Sequence, residues 1–166
     1  MASPSSIAQA LVAAMLTLPI TPALNATTCY AIAAPAYIEG QDQLVLQICP
    51  GAVTLGQSVG GRGAQEGGAL FREVSLVIAV WYRLKLDLHG QSQQAMMLAT
   101  KNLMSVCDAI RQVLALTYLR NEVTEPLWYS GESDTEVYDP DGGVYRRDIY
   151  FSGSWAAAMP RQLTYS

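Results

Sequence analysis

The clearest pattern along the chain is an alternation of apolar and other residues between positions 70 and 86. The apolar members fall on even-numbered positions: Val74, Leu76, Ile78, Val80, Tyr82, Leu84 and Leu86. Because successive side chains of a strand point to opposite faces, this alternation predicts a long β-strand with one buried face. At about 3.3 Å per residue the strand would extend roughly 50 Å, so we expect it to bend or to project from its sheet.

The odd-numbered positions of the same strand have a mixed character. They are Glu73, Ser75, Val77, Ala79, Trp81, Arg83 and Lys85. Apolar side chains between charged ends suit a partly buried interface. Because a two-layer domain covers only one face of its sheet with helices, we expect Val77, Ala79 and Trp81 to be exposed in an isolated subunit and to contact a neighbour.

Helical periodicity appears on both sides of this strand. Residues 7–18 carry Ile7, Leu11, Met15 and Leu18 at spacings of four, four and three, and Ser5 or Ser6 is the expected cap. Residues 91–117 predict a longer helix that can pack on the even-numbered face of the strand. Its apolar stripe is Ala99, Leu103, Val106, Ile110, Val113 and Thr117.

The remaining segments are predicted to be strands and turns. Residues 29–32 and 44–48 indicate two short strands, and residues 127–135 and 145–155 flank a turn at 139–143 whose proline and glycines favour a hairpin. The order of elements predicts an α+β fold, with a mostly antiparallel sheet, an N-terminal helix and a long central helix packed on one face, and a closing β-hairpin.

The chain length of 166 residues fits a single domain spanning 1–166. One segment, 51–69, is rich in glycine and poor in apolar residues, so we expect a long mobile loop there. Its Gly60-Gly61-Arg62-Gly63 run lacks the ending of a phosphate-binding loop.

The composition is apolar for a soluble chain, with 51% hydrophobic and 14% charged residues, against a usual charged fraction of about a quarter. The surplus apolar surface is expected to be buried against further copies or another partner, or to belong to a targeting segment. The apolar stretch 7–18 is too short to span a bilayer, so no membrane partner is predicted. A secretory signal peptide is disfavoured, because its basic N-terminal region is missing: no Lys or Arg precedes Arg62.

Candidate chemistry is sparse. The net charge of −4 argues against a general nucleic-acid binder, and no sequence-specific nucleic-acid partner is predicted. Cys29, Cys49 and Cys107 lack metal-ligand spacing and are expected to be buried free thiols. The single histidine, His89, has no visible catalytic partners.

Acidic residues concentrate near the predicted hairpin, where the solvated tip of the turn is the favoured interpretation over a cation site. They are Glu132, Asp134, Glu136, Asp139 and Asp141. We therefore predict no enzyme activity, no cofactor and no metal.

The order of the predicted elements resembles that of the tail terminator and tail completion family of long-tailed bacteriophages, of which the lambda terminator is typical. The segments most like the family are 71–85, 91–118 and 144–151. The family has no catalytic motif to compare.

The resemblance implies a structural virion protein. It would form a hexameric ring that caps the tail tube, stops its growth and joins it to the head-tail connector or neck protein. Such a protein is assembled in the host cytoplasm and lies at the head-proximal end of the tail. Candidate residues for the contacts with neighbouring subunits or the tube are Val77, Ala79, Trp81, Arg83, Lys85, Arg146 and Arg147. Another head-to-tail connector or neck ring protein, and less favourably a secreted binding module, remain as alternatives.

Overall fold

The computed structural model describes residues 3–20, 23–37, 44–55, 70–83, 93–116, 128–139 and 143–157. The elements in these ranges are α1 (Pro4–Met15), β1 (Cys29–Ala31), β2 (Leu44–Leu55), β3 (Leu70–Arg83), α2 (Gln93–Leu116), β4 (Trp128–Glu132), β5 (Glu136–Asp139) and β6 (Val144–Ala157). The strands form one sheet in the order β1-β2-β3-β6-β4, and β5 also pairs with β6. The predicted α+β class is confirmed.

The pairing of β3 with β6 forms the centre of the sheet. The two strands are antiparallel along their full length, from Leu70 opposite Ala157 to Arg83 opposite Val144. The even-numbered side chains of β3 from Val74 to Tyr82 are buried on the side of the helices, which confirms the alternation for the described residues. Leu84 and Leu86 lie outside them.

Helix α1 begins two or three residues earlier than the sequence pattern indicated. Ser3 is the N-cap and forms a capping box with Ser6: the Ser3 hydroxyl accepts from the Ser6 amide at 3.1 Å, and the Ser6 hydroxyl accepts from the Ser3 amide at 2.8 Å. Pro4 occupies the first turn, where its missing N–H is not needed. The predicted cap at Ser5 or Ser6 was therefore wrong, although Ser6 takes part.

The buried face of α1 belongs to the main core. Ile7, Leu11 and Met15 are fully buried, and Leu18 is nearly so. The helix packs against β1, β2 and α2, and its buried residues share one core with the even-numbered residues of β3. Removal of residues 1–26 by a signal peptidase would therefore take away part of the core described here.

Helix α2 packs on the same face of the sheet through a stripe slightly different from the predicted one. Its fully buried residues are Ala99, Leu103, Cys107, Ile110 and Leu114. Val106 and Val113, which belong to the predicted stripe, are only partly buried at the margin of the core. The buried side of the helix is thus rotated by one residue in its second half, and Thr117 lies outside the described residues.

The two short strands predicted near the N-terminus are both present, and β2 also pairs antiparallel with β3. β1 pairs in parallel with β2, with Cys29 opposite Leu46. β2 continues to Leu55 with an irregularity between Pro50 and Val53. The first part of the predicted Gly-rich loop, 51–55, is therefore strand, and the rest of it is not among the described residues.

The closing hairpin is confirmed, with its first arm divided in two. β4 and β5 both pair with β6, and Gly143 has a φ of 64° where the chain enters β6. Glu132 does not lie at a solvated tip as expected. Its side chain is only 7% exposed and forms ion pairs with Arg111 of α2 and Arg147 of β6.

Candidate subunit interface on the outer face of the sheet

The face of the sheet opposite the helices, called the outer face here, carries the odd-numbered residues of β3. For Trp81, Ala79 and Val77, the strand register places one residue of β2 on one side and one residue of β6 on the other. The resulting rows are Val45–Trp81–Arg146, Gln47–Ala79–Asp148 and Cys49–Val77–Tyr150. The predicted division of β3 into two faces is therefore correct.

Trp81 is covered by its own subunit. Only 2% of its surface is exposed. The rings of Tyr37 and Tyr138 lie 5.8 and 5.0 Å from it, and the Arg146 guanidinium lies 5.1 Å from the Trp81 ring centroid. The expectation that Trp81 and Ala79 would be exposed in the isolated subunit is wrong, because residues 33–37 and β5 bring side chains over this end of the face.

Gln47 binds residues 33–37, the segment that covers Trp81, to the sheet. Its fully buried side chain accepts hydrogen bonds at Oε1 from the Ala36 amide (3.0 Å) and from Trp81 Nε1 (2.9 Å). Its Nε2 donates to the Ala36 carbonyl (2.7 Å) and to the Tyr30 hydroxyl (2.8 Å). All four hydrogen-bonding positions of the amide are used. Hydrogen bonds within the protein therefore replace those to water that the amide loses on burial.

The two charged residues nearest Trp81 are also engaged within the subunit. Arg146 forms a bidentate pair with Asp148, at 2.8 and 2.7 Å, and this hydrogen bonding raises the pKa of Arg146 above its ordinary value. Arg83 donates from Nη2 to the Tyr37 hydroxyl at 3.0 Å. Arg83 therefore contacts the segment that covers Trp81, whereas Arg146 is held by Asp148 and lies against the Trp81 ring.

Arg147 belongs to the opposite face. It donates to Glu132 and Thr135, and Glu132 also pairs with Arg111, which in turn pairs with Asp108. This network ties α2 to the edge of the sheet. Arg146 and Arg147, both predicted as candidate interface charges, therefore lie on opposite faces of the sheet, and Lys85 lies outside the described residues.

The other end of the outer face is not covered in this way. Ser75 and Tyr150 are exposed, Val77 and Ser152 are half-buried, and the register places Ser75 opposite Ser152 and Val77 opposite Tyr150. We call these four residues the open strip. Of the candidate interface residues, Val77 alone lies in it. Tyr150 was missed, although its position across from Val77 follows once the hairpin register is known.

The three cysteines are not activated as nucleophiles. Cys29, Cys49 and Cys107 are free and buried, as predicted, and burial raises the pKa of each thiol to about 11. Within the described ranges no group of three or more His, Cys, Asp or Glu side chains is placed to hold a metal ion. In the same ranges neither helix is long and apolar enough to cross a membrane.

Comparison with known proteins does not extend this description. A scan against protein-family models finds no match, and a search of curated proteins finds no matching sequence.

Proposed function

We propose that the chain is a structural subunit of the ring that closes a bacteriophage tail, and that the open strip contacts a neighbouring subunit or the tail tube. The open strip is the observation that carries the proposal. It is a part of the outer face that neither helices nor the covering side chains of residues 33–37 reach, and it lies on the two longest strands of the sheet.

The chemistry of the strip suits protein contact. Tyr150 is 37% exposed, and tyrosine contributes a large rigid ring with a polar tip, which is why it is enriched at the energetic centres of interfaces. Val77 supplies apolar area beside it. The small side chains of Ser75 and Ser152 allow another chain to approach the sheet closely, so a flat apolar or aromatic surface of the partner would fit there.

A closed ring requires a heterologous contact, in which the open strip meets a different surface of the next copy. The hexameric number, the tail tube and head-tail connector as partners, and the head-proximal position in the virion are proposed from the family resemblance described above. Another connector or neck ring protein would share the small ring-forming character, and a ring of different symmetry would distinguish it.

Replacing Tyr150 by Lys tests the contact. Tyr150 is exposed, and the acidic residue Asp148 lies two positions before it on the same face. Tyr150→Lys is therefore expected to leave the far-UV circular dichroism spectrum and the thermal midpoint close to wild type. An unpaired charge buried in the contact should abolish ring formation. Electron micrographs and the particle mass of the purified protein show whether rings have formed.

Gln9→Lys is the matched control, because it places the same charge on the exposed side of α1, in the layer on the other side of the sheet. This variant should form rings like wild type. Rings of normal mass with Tyr150→Lys would show that the open strip is not the contact.

A further inference from the structure

The outward side of α2 carries large apolar side chains where a solvent-facing helix usually carries polar ones. Met97 is 67% exposed and Met104 is 49% exposed. They are seven residues apart, which is two helical turns, so they lie on one line about 10.5 Å apart along the axis. Exposed methionines in line are typical of a surface that packs against a partner, because the flexible thioether adapts to an irregular surface.

Two opposite charges lie on the same side of the helix. Lys101 and Asp108 are exposed and are also two turns apart. Together with the methionines they line one shallow groove along α2. Lys101 lies before Met104 and Asp108 after it, at nearly equal axial distances from the point between Met104 and Ser105. Two copies of the helix that run in opposite directions about this point therefore place the lysine of each opposite the aspartate of the other.

We propose that this side of α2 is a contact between two copies of the chain, packed antiparallel around a two-fold axis beside Met104. In this arrangement each Lys101 faces the partner's Asp108, and the two Met104 side chains meet at the axis. A parallel pair would set Lys101 against the partner's Lys101. An antiparallel pair centred between Met97 and Met104 would bring both lysines to the axis, so the charges select one register.

The contact is separate from the one proposed for the ring. α2 packs on the inner face of the sheet and the open strip lies on the outer face. Asp108 also pairs with Arg111 of its own helix, yet its side chain remains largely exposed and can accept a second cation. The α2 contact would join two subunits or, where rings form, two rings.

A charge-swap series tests the arrangement. Lys101→Glu alone and Asp108→Lys alone each place like charges opposite one another twice per pair. Each should weaken self-association about tenfold or more and halve the particle mass at a fixed low concentration. The double variant Lys101→Glu with Asp108→Lys restores opposite charges across the axis, so its particle mass should return to that of wild type.

A cysteine series gives the geometry independently. Met104→Cys should form a disulfide-linked pair under mild oxidation, because its two copies meet at the axis. Gln94→Cys, also exposed on α2, should not, because its copies would be about 30 Å apart. Thermal midpoints of all variants separate loss of association from loss of folding.

Sedimentation equilibrium measures the association constants. An unchanged particle mass in both single charge variants, or failure of the double variant to recover it while remaining folded, would overturn the proposal. A wild-type protein that is monomeric at all concentrations would also overturn it. Loss of rings in Tyr150→Lys with the pairing intact would affect only the open strip.

Discussion

Truncation of Trp81 tests whether its covering side chains belong to the folded subunit. Trp81→Ala removes a fully covered indole together with its hydrogen bond to Gln47 and its contacts with Tyr37 and Tyr138. Such truncations of buried aromatic residues cost about 3–5 kcal/mol, which includes the cavity left behind. For a protein of this size each kcal/mol lowers the thermal midpoint by about 2–4 °C, so we expect a fall on the order of 10 °C.

Urea denaturation followed by circular dichroism measures the change in the free energy of unfolding. Trp81→Phe keeps an aromatic ring but removes the indole N–H, and Gln47 Oε1 still accepts from the Ala36 amide. This variant should therefore lose less than half as much stability as Trp81→Ala. Tyr150→Ala is the matched control, since it truncates an exposed aromatic residue of the same face and should cost less than about 1 kcal/mol.

Equal and small losses in Trp81→Ala and Tyr150→Ala would refute this reasoning. That result would mean that the Trp81 ring is accessible in the free subunit, as the sequence pattern alone suggested. A large loss confined to Trp81→Ala would show that the two ends of the outer face differ, with one closed by its own chain and the other open.

Three further perturbations check the core and its margins. Glu132→Gln leaves the cations of Arg111 and Arg147 without their shared carboxylate, and should lower the free energy of unfolding by about 2 kcal/mol in urea denaturation. Ser3→Ala removes the hydroxyl that caps α1 and should cost about 1 kcal/mol in the same assay. Cys29, Cys49 and Cys107 should resist a thiol reagent at pH 8 until the protein unfolds. Because burial raises each thiol pKa from 9.0 to about 11, the unfolded chain loses its thiol protons first, so their contribution should lower stability between about pH 9 and pH 11 and not below.

Periodicity was sufficient for the main core. The alternation in β3 identifies its buried face because a strand has a fixed period of two, whereas an α-helix would place Leu76 on the side opposite Val74 and Ile78. The period of α2 was less decisive. Both Val106 and Cys107 are apolar enough to be buried, so the sequence did not distinguish two stripes one residue apart.

The candidate site was predicted less well, for a physical reason. Whether Trp81 is exposed depends on residues 33–37, which form neither helix nor regular strand and reach the sheet through the side chain of Gln47. Hydrophobic patterning describes which face of an element is apolar, and it carries no information on what an irregular segment covers. Glu132 was misplaced similarly, because its partner Arg111 is far away in sequence.

The central claim is that copies of this chain form a closed ring on a tail tube. Electron microscopy of the purified protein, alone and mixed with the proposed tail-tube partner, tests it most directly. We expect class averages with six-fold symmetry and one end of each tube capped by a ring. Particles of another symmetry, open filaments, or tubes that elongate unchanged in the presence of the protein would contradict it.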